Sequence, residues 1–504
     1  MFNVFNYFRF TFYCFLFCTT LINAKSALAD NPKKNIELIH ANVGEFEKRI
    51  SAKKLIGDVV LKDNHILLYC DSAYIFENNV VDIFGHVHIN QTDTLNAYSD
   101  FAHYDGISKI AYMFKNVTIT NKEMTLQTDT LNINFNTNIA DYNHFATIKN
   151  DSNTLTSIVG QYFINLKKIH FTKNVILQTP KYQLNSDELI YFTNTGFSNI
   201  NSTFSIIGKL DSVYAKKGKF QTKQNIFHIS DQAYLRTGLQ TLNADSIYYN
   251  QQLEILKGFN KVILNDHAKK VRLTGDYLIS DNKIKVSRII GNALLTKINN
   301  LDSLYIQADT ICSQKDSLDR LFTAFHHVLI FKPDLQGKCD SMSFSLSDSI
   351  LKMYIKPIVW SNNNQLTAKE IKLQISAGFI KSIELLKEAF IISKVDSAMF
   401  NQIKGKKMFG TFFNNELVKI TVDGNGQTIY FAKEKDKIIG INKAECSNLI
   451  VFLKNQQIDK VSFINKPEAI LIPLNEYVPK EMKLKDFSWQ FLTKPNGMKN
   501  YKIY

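Results

Sequence analysis

The sequence predicts an all-β protein of elongated repeat architecture, on three observations: its composition, a tandem phrase and the alternation of its apolar residues. Asn, Asp, Ser, Thr, Ile, Val, Phe and Tyr recur along all 504 residues, with 37 Phe and 22 Tyr against 2 Trp, which is strand-and-turn chemistry. Only 8 Pro and 20 Gly occur, which excludes a collagen-like or low-complexity chain, and a hydrophobic fraction of 45% can bury a sizeable interior. A phrase of a small residue, Asp, Ser or Thr and an apolar residue returns about every 30 residues.

The strongest copies are Cys70-Asp71-Ser72-Ala73, Thr128-Asp129-Thr130-Leu131, Ala244-Asp245-Ser246-Ile247, Ala308-Asp309-Thr310-Ile311 and Cys339-Asp340-Ser341-Met342. Weaker copies centre on Asp100, Asp187, Asp211, Asp276 and Asp396, and degenerate ones on Asn42, Gly160 and Lys369. From Asn42 to Asp396 these thirteen markers have a mean spacing of 29.5 residues. A short apolar strand follows most markers by 15 to 21 residues, often opened by Gly, Asn or His, as in Gly85-His86-Val87-His88-Ile89 and Asn116-Val117-Thr118-Ile119. Each unit therefore supplies at least two strands joined by polar turns such as Tyr104-Asp105-Gly106 and Asn194-Thr195-Gly196.

Upstream of the marker the position at minus three is usually apolar and the one at minus one usually small; downstream the inward-looking positions are plus two and plus four. The parity flips across the aspartate. Side chains in a strand alternate with period two, so a flip demands one extra residue, a bulge or corner. Asp71, Asp100, Asp129, Asp187, Asp211, Asp245, Asp276, Asp309, Asp340 and Asp396 are thus expected to be structural corners, their carboxylates accepting from backbone amides that the ladder releases. A calcium or catalytic role is the lesser alternative, because calcium repeats carry several acidic and Gly residues per turn. Such units cannot bury an apolar face alone and must stack.

Before the repeats, Arg9 precedes a mostly apolar run from Phe10 to Ile22, and Ala27-Leu28-Ala29 gives an A-x-A site. Residues 1–29 read as a signal peptide, with Asp30 as the mature start; an uncleaved anchor or lipidation at Cys18 are the lesser readings. Its removal takes away two positive charges, Arg9 and Lys25, and no negative ones, so the net charge falls from +14 to +12. That charge suits lipid phosphates or a membrane surface; an exported chain without an Arg-rich stripe is not expected to bind nucleic acid. The remaining cysteines, Cys70, Cys312, Cys339 and Cys446, have no metal-ligand spacing, and Cys70 and Cys339 are expected to fill small buried slots beside a marker.

The Asp phrase alternating with the Gly/Asn-x-Val-x-Ile strand, behind a signal peptide, resembles the OstA-like (LptA-like) family of periplasmic lipopolysaccharide transport, most closely over residues 36–200 and in rhythm to about 400. The stacking of the units alone allows a related β-solenoid, whereas the resemblance implies a twisted β-jellyroll, open along one side, with an apolar groove that shields acyl chains. It also implies lipopolysaccharide or lipid A as ligand, and other transport proteins as partners through end-strand pairing. The location implied is the periplasm, with peripheral contact to the outer membrane compatible with the charge. The candidate lining is Val87, Ile89, Val117, Ile119, Val175, Leu177, Val262, Leu264, Val328 and Ile330. Residues 30–400 form the repeat body; 401–504 are divergent repeats ending in a cap or partner-binding tail, which holds Pro467, Pro473, Pro479, Pro495 and Trp489.

Phosphate-loop, nucleophile-elbow and metal-helix motifs do not occur in the sequence, so no enzymatic activity, cofactor or metal is expected. His86 with His88 share a strand face, whereas His326 and His327 point apart. A structural adhesin rod is the main alternative function. A β-helix polysaccharide-active enzyme is a weaker one, for want of an acidic and basic cluster on one face.

Overall fold

The computed structural model describes residues 36–490, except 92–94, 121–123, 151, 222, 300–301, 316–319, 377, 435–436 and 455–456. The segment expected to be a signal peptide, its expected cleavage site and Cys18 lie outside the described residues. Among the described residues there are 36 strands, one short 3-10 turn (Leu474–Glu476) and no α-helix; the printed pairings are all antiparallel. The chain divides into two compact units: residues up to Gly238 with Ser246–Gln252, and Leu239–Asp245 with the residues from Leu253 onward.

Both units follow one construction rule. Strands of about a dozen residues run through a corner at mid-length, so each contributes one half to either of two arms. In the first unit, Ile66–Phe76 pairs with Val80–Gln91, which pairs with Leu95–Asp105, then Ile110–Thr120 and Thr125–Asn134. In the second, Ile255–Asp266, Val271–Asp281, Val286–Lys297, Leu304–Lys315, Arg320–Lys332 and Leu335–Ser345 repeat the scheme.

The corner is asymmetric. On the strand that carries no marker, two successive residues take positive φ: Gly85 and His86 (74° and 42°), Lys115 and Asn116 (60° and 49°), Gly291 and Asn292 (76° and 48°), His326 and His327 (62° and 51°). Across from each pair lies a single marker residue. Phe84 pairs with Phe101 and Val87 with Ser99, so Gly85-His86 stands opposite Asp100 alone. The parity flip read in the sequence is present, since Cys70 and Ala73 both face inward; the extra residue is not beside Asp71, however, but on the neighbouring strand. Four steps separate the inward residues Ile83 and Val87, against three from Cys70 to Ala73. A two-against-one bulge of this kind bends the ladder. Left-handed backbone suits Gly best and tolerates Asn. At Gly85 a Cβ would sit 2.2 Å from Asp71 Oδ2, so side-chain crowding adds to the backbone demand.

Two of the ten aspartates expected at corners are not corner residues. Asp211 opens the strand Asp211–Ala215, and the residue backbone-bonded to the Asp231-Gln232 corner is Lys216, whose N–H donates to Asp231 O at 3.0 Å. Asp396 sits in a hairpin turn, its Oδ1 accepting from Ala398 N and Met399 N, both at 2.8 Å. Near it, the single residue opposite Lys387-Glu388 is Lys406. Gly160 likewise lies two residues past its corner, where Ile158 N donates to Lys173 O. The corners continue past residue 400, at Gly424-Asn425 and Asn465-Lys466.

Hairpin turns also stack. The carbonyl of a left-handed turn residue accepts from an N–H of the next turn on the same side, as in Phe135 N to Lys109 O (2.9 Å) and Thr193 N to Lys167 O (2.8 Å). These bonds satisfy backbone that a free-standing hairpin would leave to water. The minus-one residues face the core opposite a valine: Val59 pairs with Cys70, Val117 with Thr128, Val262 with Gly275, Val328 with Cys339. Close approach explains why they are small; a Cβ on Gly275 would lie 2.3 Å from Ile289 Cγ2. Burial pushes the thiols of Cys70 and Cys339 up to about 12, so both are inert space-fillers.

Candidate functional site

Cross-strand register turns the alternation into a continuous apolar lane. In the first unit, directly paired residues run from Leu38 through Leu61, Leu68, Ile89, Ala97, Ile119, Leu126, Ile148, Leu155, Leu177, Leu184, Ile206 and Val213 to Leu235. Every member is Leu, Ile, Val or Ala. From Leu61 to Ala97 the lane is fully buried, whereas Leu155, Leu177 and Val213 are half-buried. A second lane in the other unit runs through Leu264, Leu273, Leu295, Ile306, Ile330, Gly337, Val359, Leu366, Ile391, Ile403, Thr428 and Ala444 to Ala469.

Of the ten candidate lining residues, Ile89, Ile119, Leu177, Leu264 and Ile330 lie in these lanes. Val87, Val117, Val175, Val262 and Val328 form the parallel row next to the corner. Eight of them are buried among protein side chains, while Leu177 and Leu264 keep partial access to solvent. Near the last strands the second lane borders a cavity of about 300 Å³, lined among others by Ile403, Thr428, Ile429, Val451, Val461, Phe463 and Leu471.

The marker carboxylates are engaged differently from the sequence expectation. They meet side chains of the opposing corner rather than backbone amides: Asp71 Oδ2 with His86 Nδ1 (2.8 Å), Asp100 with Asn116 Nδ2 (2.8 Å), Asp276 with Asn292 Nδ2 (2.9 Å), Asp309 with His327 Nδ1 (2.8 Å). Asp340–His326 and Asp245–Lys261 are looser, at 3.5 and 3.6 Å. Asp129 and Asp187 stand opposite Lys115-Asn116 and Lys173-Asn174. The reason is the two-residue bulge, which carries a polar side chain to the marker before any amide comes within reach. His86 is fully exposed, and its bond to Asp71 holds its imidazole above the usual histidine range. His88 is stacked between Tyr69 and Tyr98 and pairs with Asn96 at 3.0 Å, so it shares no partner with His86. His326 and His327 turn to different neighbouring strands.

Sequence reasoning missed the terminal rungs. Glu37–His40 and Val43–Glu47 both lie on Ala52–Asp63 and have no further strand beyond them among the described residues. Leu38 and Phe46 share the inward face of Leu61 and Ile75, yet are 51% and 59% exposed. Gln457–Ile464 and Glu468–Ile472 likewise end the other unit on Lys437–Lys454, with Ile470 and Leu471 exposed. The missed signal was a pair of half-length strands flanking the degenerate marker Asn42, whose N–H donates to Gly57 O at 3.0 Å.

Among curated proteins nothing matches this chain. A solved structure, that of LptH, the LptA homologous periplasmic component of the conserved lipopolysaccharide transport device from Pseudomonas aeruginosa, is 12% identical over 23% of this chain and 82% of that one, with a TM-score of 0.21. A family model described as OstA-like protein matches residues 33–187. Those residues hold the first rungs, their corners and the lane from Leu38 to Leu184, and they are an OstA-like domain.

Proposed function

We propose that this chain is an exported, periplasmic, non-enzymatic lipid carrier of the lipopolysaccharide transport pathway, a bridge or an accessory that shields acyl chains along its apolar lanes. The observation that carries the reading is the unbroken Leu/Ile/Val/Ala lane of the OstA-like unit, which gains solvent access at Leu155, Leu177 and Val213. An acyl chain laid along it would leave water at about 0.8 kcal/mol per methylene, so a short stretch of lane suffices to hold one chain. Exposed Lys149, Lys181, Lys209 and Arg236 lie near the lane-side ends of these strands, where phosphates of a lipid headgroup would come to rest. Partner proteins of the same pathway would add strands to the open edges at Glu37–Glu47 and Gln457–Ile472, whose unpaired N–H and C=O groups and exposed apolar residues invite pairing.

The test is in-cell photo-crosslinking from the half-buried lane positions Leu177 and Leu264, with the outward-facing Gln183 as control. Capture of lipopolysaccharide from both lane sites and not from the control is expected. No capture from either lane site leaves the structural rod as the better account.

A further inference from the structure

The arm that ends the second unit buries both of its faces. Inward, Ile391 and Ile403 face the other arm. Outward, Phe390, Ile392, Phe400, Ile429, Phe431 and Ile441 would stand in water, but residues 477–489 return over them. We propose that this outer face is a reading site for a peptide of two extended stretches joined by a turn at Lys485-Asp486, where Phe487 N donates to Leu484 O, and that residues 482–490, at the C-terminal end of the described chain, are its resident and exchangeable ligand.

The returning segment belongs to no strand ladder. Its backbone is instead held by side chains. Gln402 Nε2 donates to Met482 O at 2.9 Å while its Oε1 accepts from Leu484 N at 2.8 Å. Six residues on, Gln365 Nε2 donates to Ser488 O at 2.7 Å and its Oε1 accepts from Gln490 N at 3.0 Å. Both glutamines are 1% exposed, and each uses both ends of its amide on a carbonyl and an N–H two residues apart. That spacing is how an extended dipeptide presents its polar groups to one side, and reading it asks nothing of the side chains. Selectivity comes from the anchors. Met482 and Leu484 are buried, and Phe487 and Trp489 pack on the ring of Phe400 with centroids 5.4 and 5.3 Å away. Lys483, Lys485 and Ser488 face solvent between them. Asp486, at φ 71°, resets the alternation between the two anchor pairs, and its carboxylate meets Lys404 Nζ at 2.8 Å.

Exchange follows from what the segment does not touch. Lifting it uncovers the outer face only, because the inward residues of the arm are covered from the other side. The tether is itself exposed from Pro473 to Glu476 and from Val478 to Glu481. A tether this short keeps the segment at an effective concentration of the order of millimolar, so the cis ligand prevails until the tether is cut or pulled. The occupant in trans would be the same C-terminal segment of a second copy, with anchors at 482, 484, 487 and 489.

The experiment uses the full chain with a protease site in place of Leu474–Glu476 and a fluorescent synthetic peptide of residues 477–490. After cleavage the labelled peptide should replace the resident segment saturably, and Gln402→Leu or Gln365→Leu should weaken its binding about tenfold or more, the size expected for losing two buried hydrogen bonds. Uptake that never occurs, or uptake indifferent to both glutamines, overturns the proposal. A second measurement needs no variant. In the uncut chain, hydrogen exchange at the Leu484 and Gln490 amides should proceed together and at least about 100-fold faster than in the ladder between Glu416–Glu434 and Lys437–Lys454. Equal protection would make the segment a fixed layer of the fold and end the idea.

Discussion

The first rungs of the OstA-like domain and the last arm of the second unit are built on the same corner, yet they bury their strands differently. Along Val80–Gln91 buried positions alternate with exposed or half-exposed ones, and the outer face carries Phe84, His88 and, on the neighbouring strands, Phe101 and Phe114. Along Ile358–Ser361 and Ala389–Ile392 every position is buried. A continuous apolar run in an antiparallel sheet means that something covers the second face, just as helices do for parallel sheets. Over Phe390 and Ile392 the cover is the chain's own returning segment. Alternation reports an open outer face, and its loss reports a partner.

The largest effect should come from placing a charge where both faces are dry. Ile391→Asp buries an unpaired carboxylate between two arms and is expected to unfold the second unit, costing several kcal/mol in a denaturant titration. Leu177→Asp, at a half-buried lane position, should leave a folded protein that no longer captures lipid. If both variants unfold alike, the lane is an ordinary closed core.

Next come the outer faces themselves. Phe431→Ala removes a ring packed beneath the returning segment and should cost about 3–5 kcal/mol. Phe114, 42% exposed on the outer face of the first unit, should cost well under half of that when replaced by Ala. Equal losses would mean that the outer face of the OstA-like domain is covered as well.

A smaller effect lies in the marker pairs. With the Asp245 carboxylate half-exposed and 3.6 Å from Lys261 Nζ, Asp245→Ala should cost less than about 1 kcal/mol, not the 1–2 kcal/mol that backbone capping would give. Gly291→Ala should cost more than the aspartate does, since φ is 76° and the new Cβ would lie 2.6 Å from Asp276 Oδ2. Thermal unfolding of the two variants side by side orders them.

These differences also mark what was legible. The period, the inward rows and the small minus-one residues could be read because each is a local consequence of side-chain alternation. The place of the extra residue could not. Parity flips on the marker strand, while the two left-handed residues opposite restore it on theirs, so the sequence displays the flip where the bulge is not. Asp211 and Asp396 misled because Asp serves hairpin turns equally well, and a single residue facing a bulge needs no special φ, which is how Lys216 and Lys406 fill the position. The outer layer was illegible for a different reason. Gln402 meets Leu484 across 82 residues and Gln365 meets Gln490 across 125, and nothing local in either glutamine announces a partner.

The smallest effect compares the polar pairs at two corners of the first unit. Asp71 meets His86 at 2.8 Å, and Asp100 meets Asn116 at the same distance, so imidazole and amide fill equivalent positions. Only the imidazole titrates. Its folded value is raised by the bond to Asp71, so the charged tie is fully formed below the ordinary histidine range and is lost as pH rises through the raised folded value. His86→Asn keeps a donor at the corner and tolerates its left-handed backbone. Wild type should therefore hold an advantage over His86→Asn at acidic pH that shrinks between the ordinary and the raised histidine midpoints, with no further change above. The His86 ring, followed by NMR, should titrate above that of an exposed free histidine, and Asp71→Asn should bring it back. A midpoint that ignores Asp71 would show that the corner is held by its backbone alone, as its φ angles permit, and that the polar pair merely decorates it.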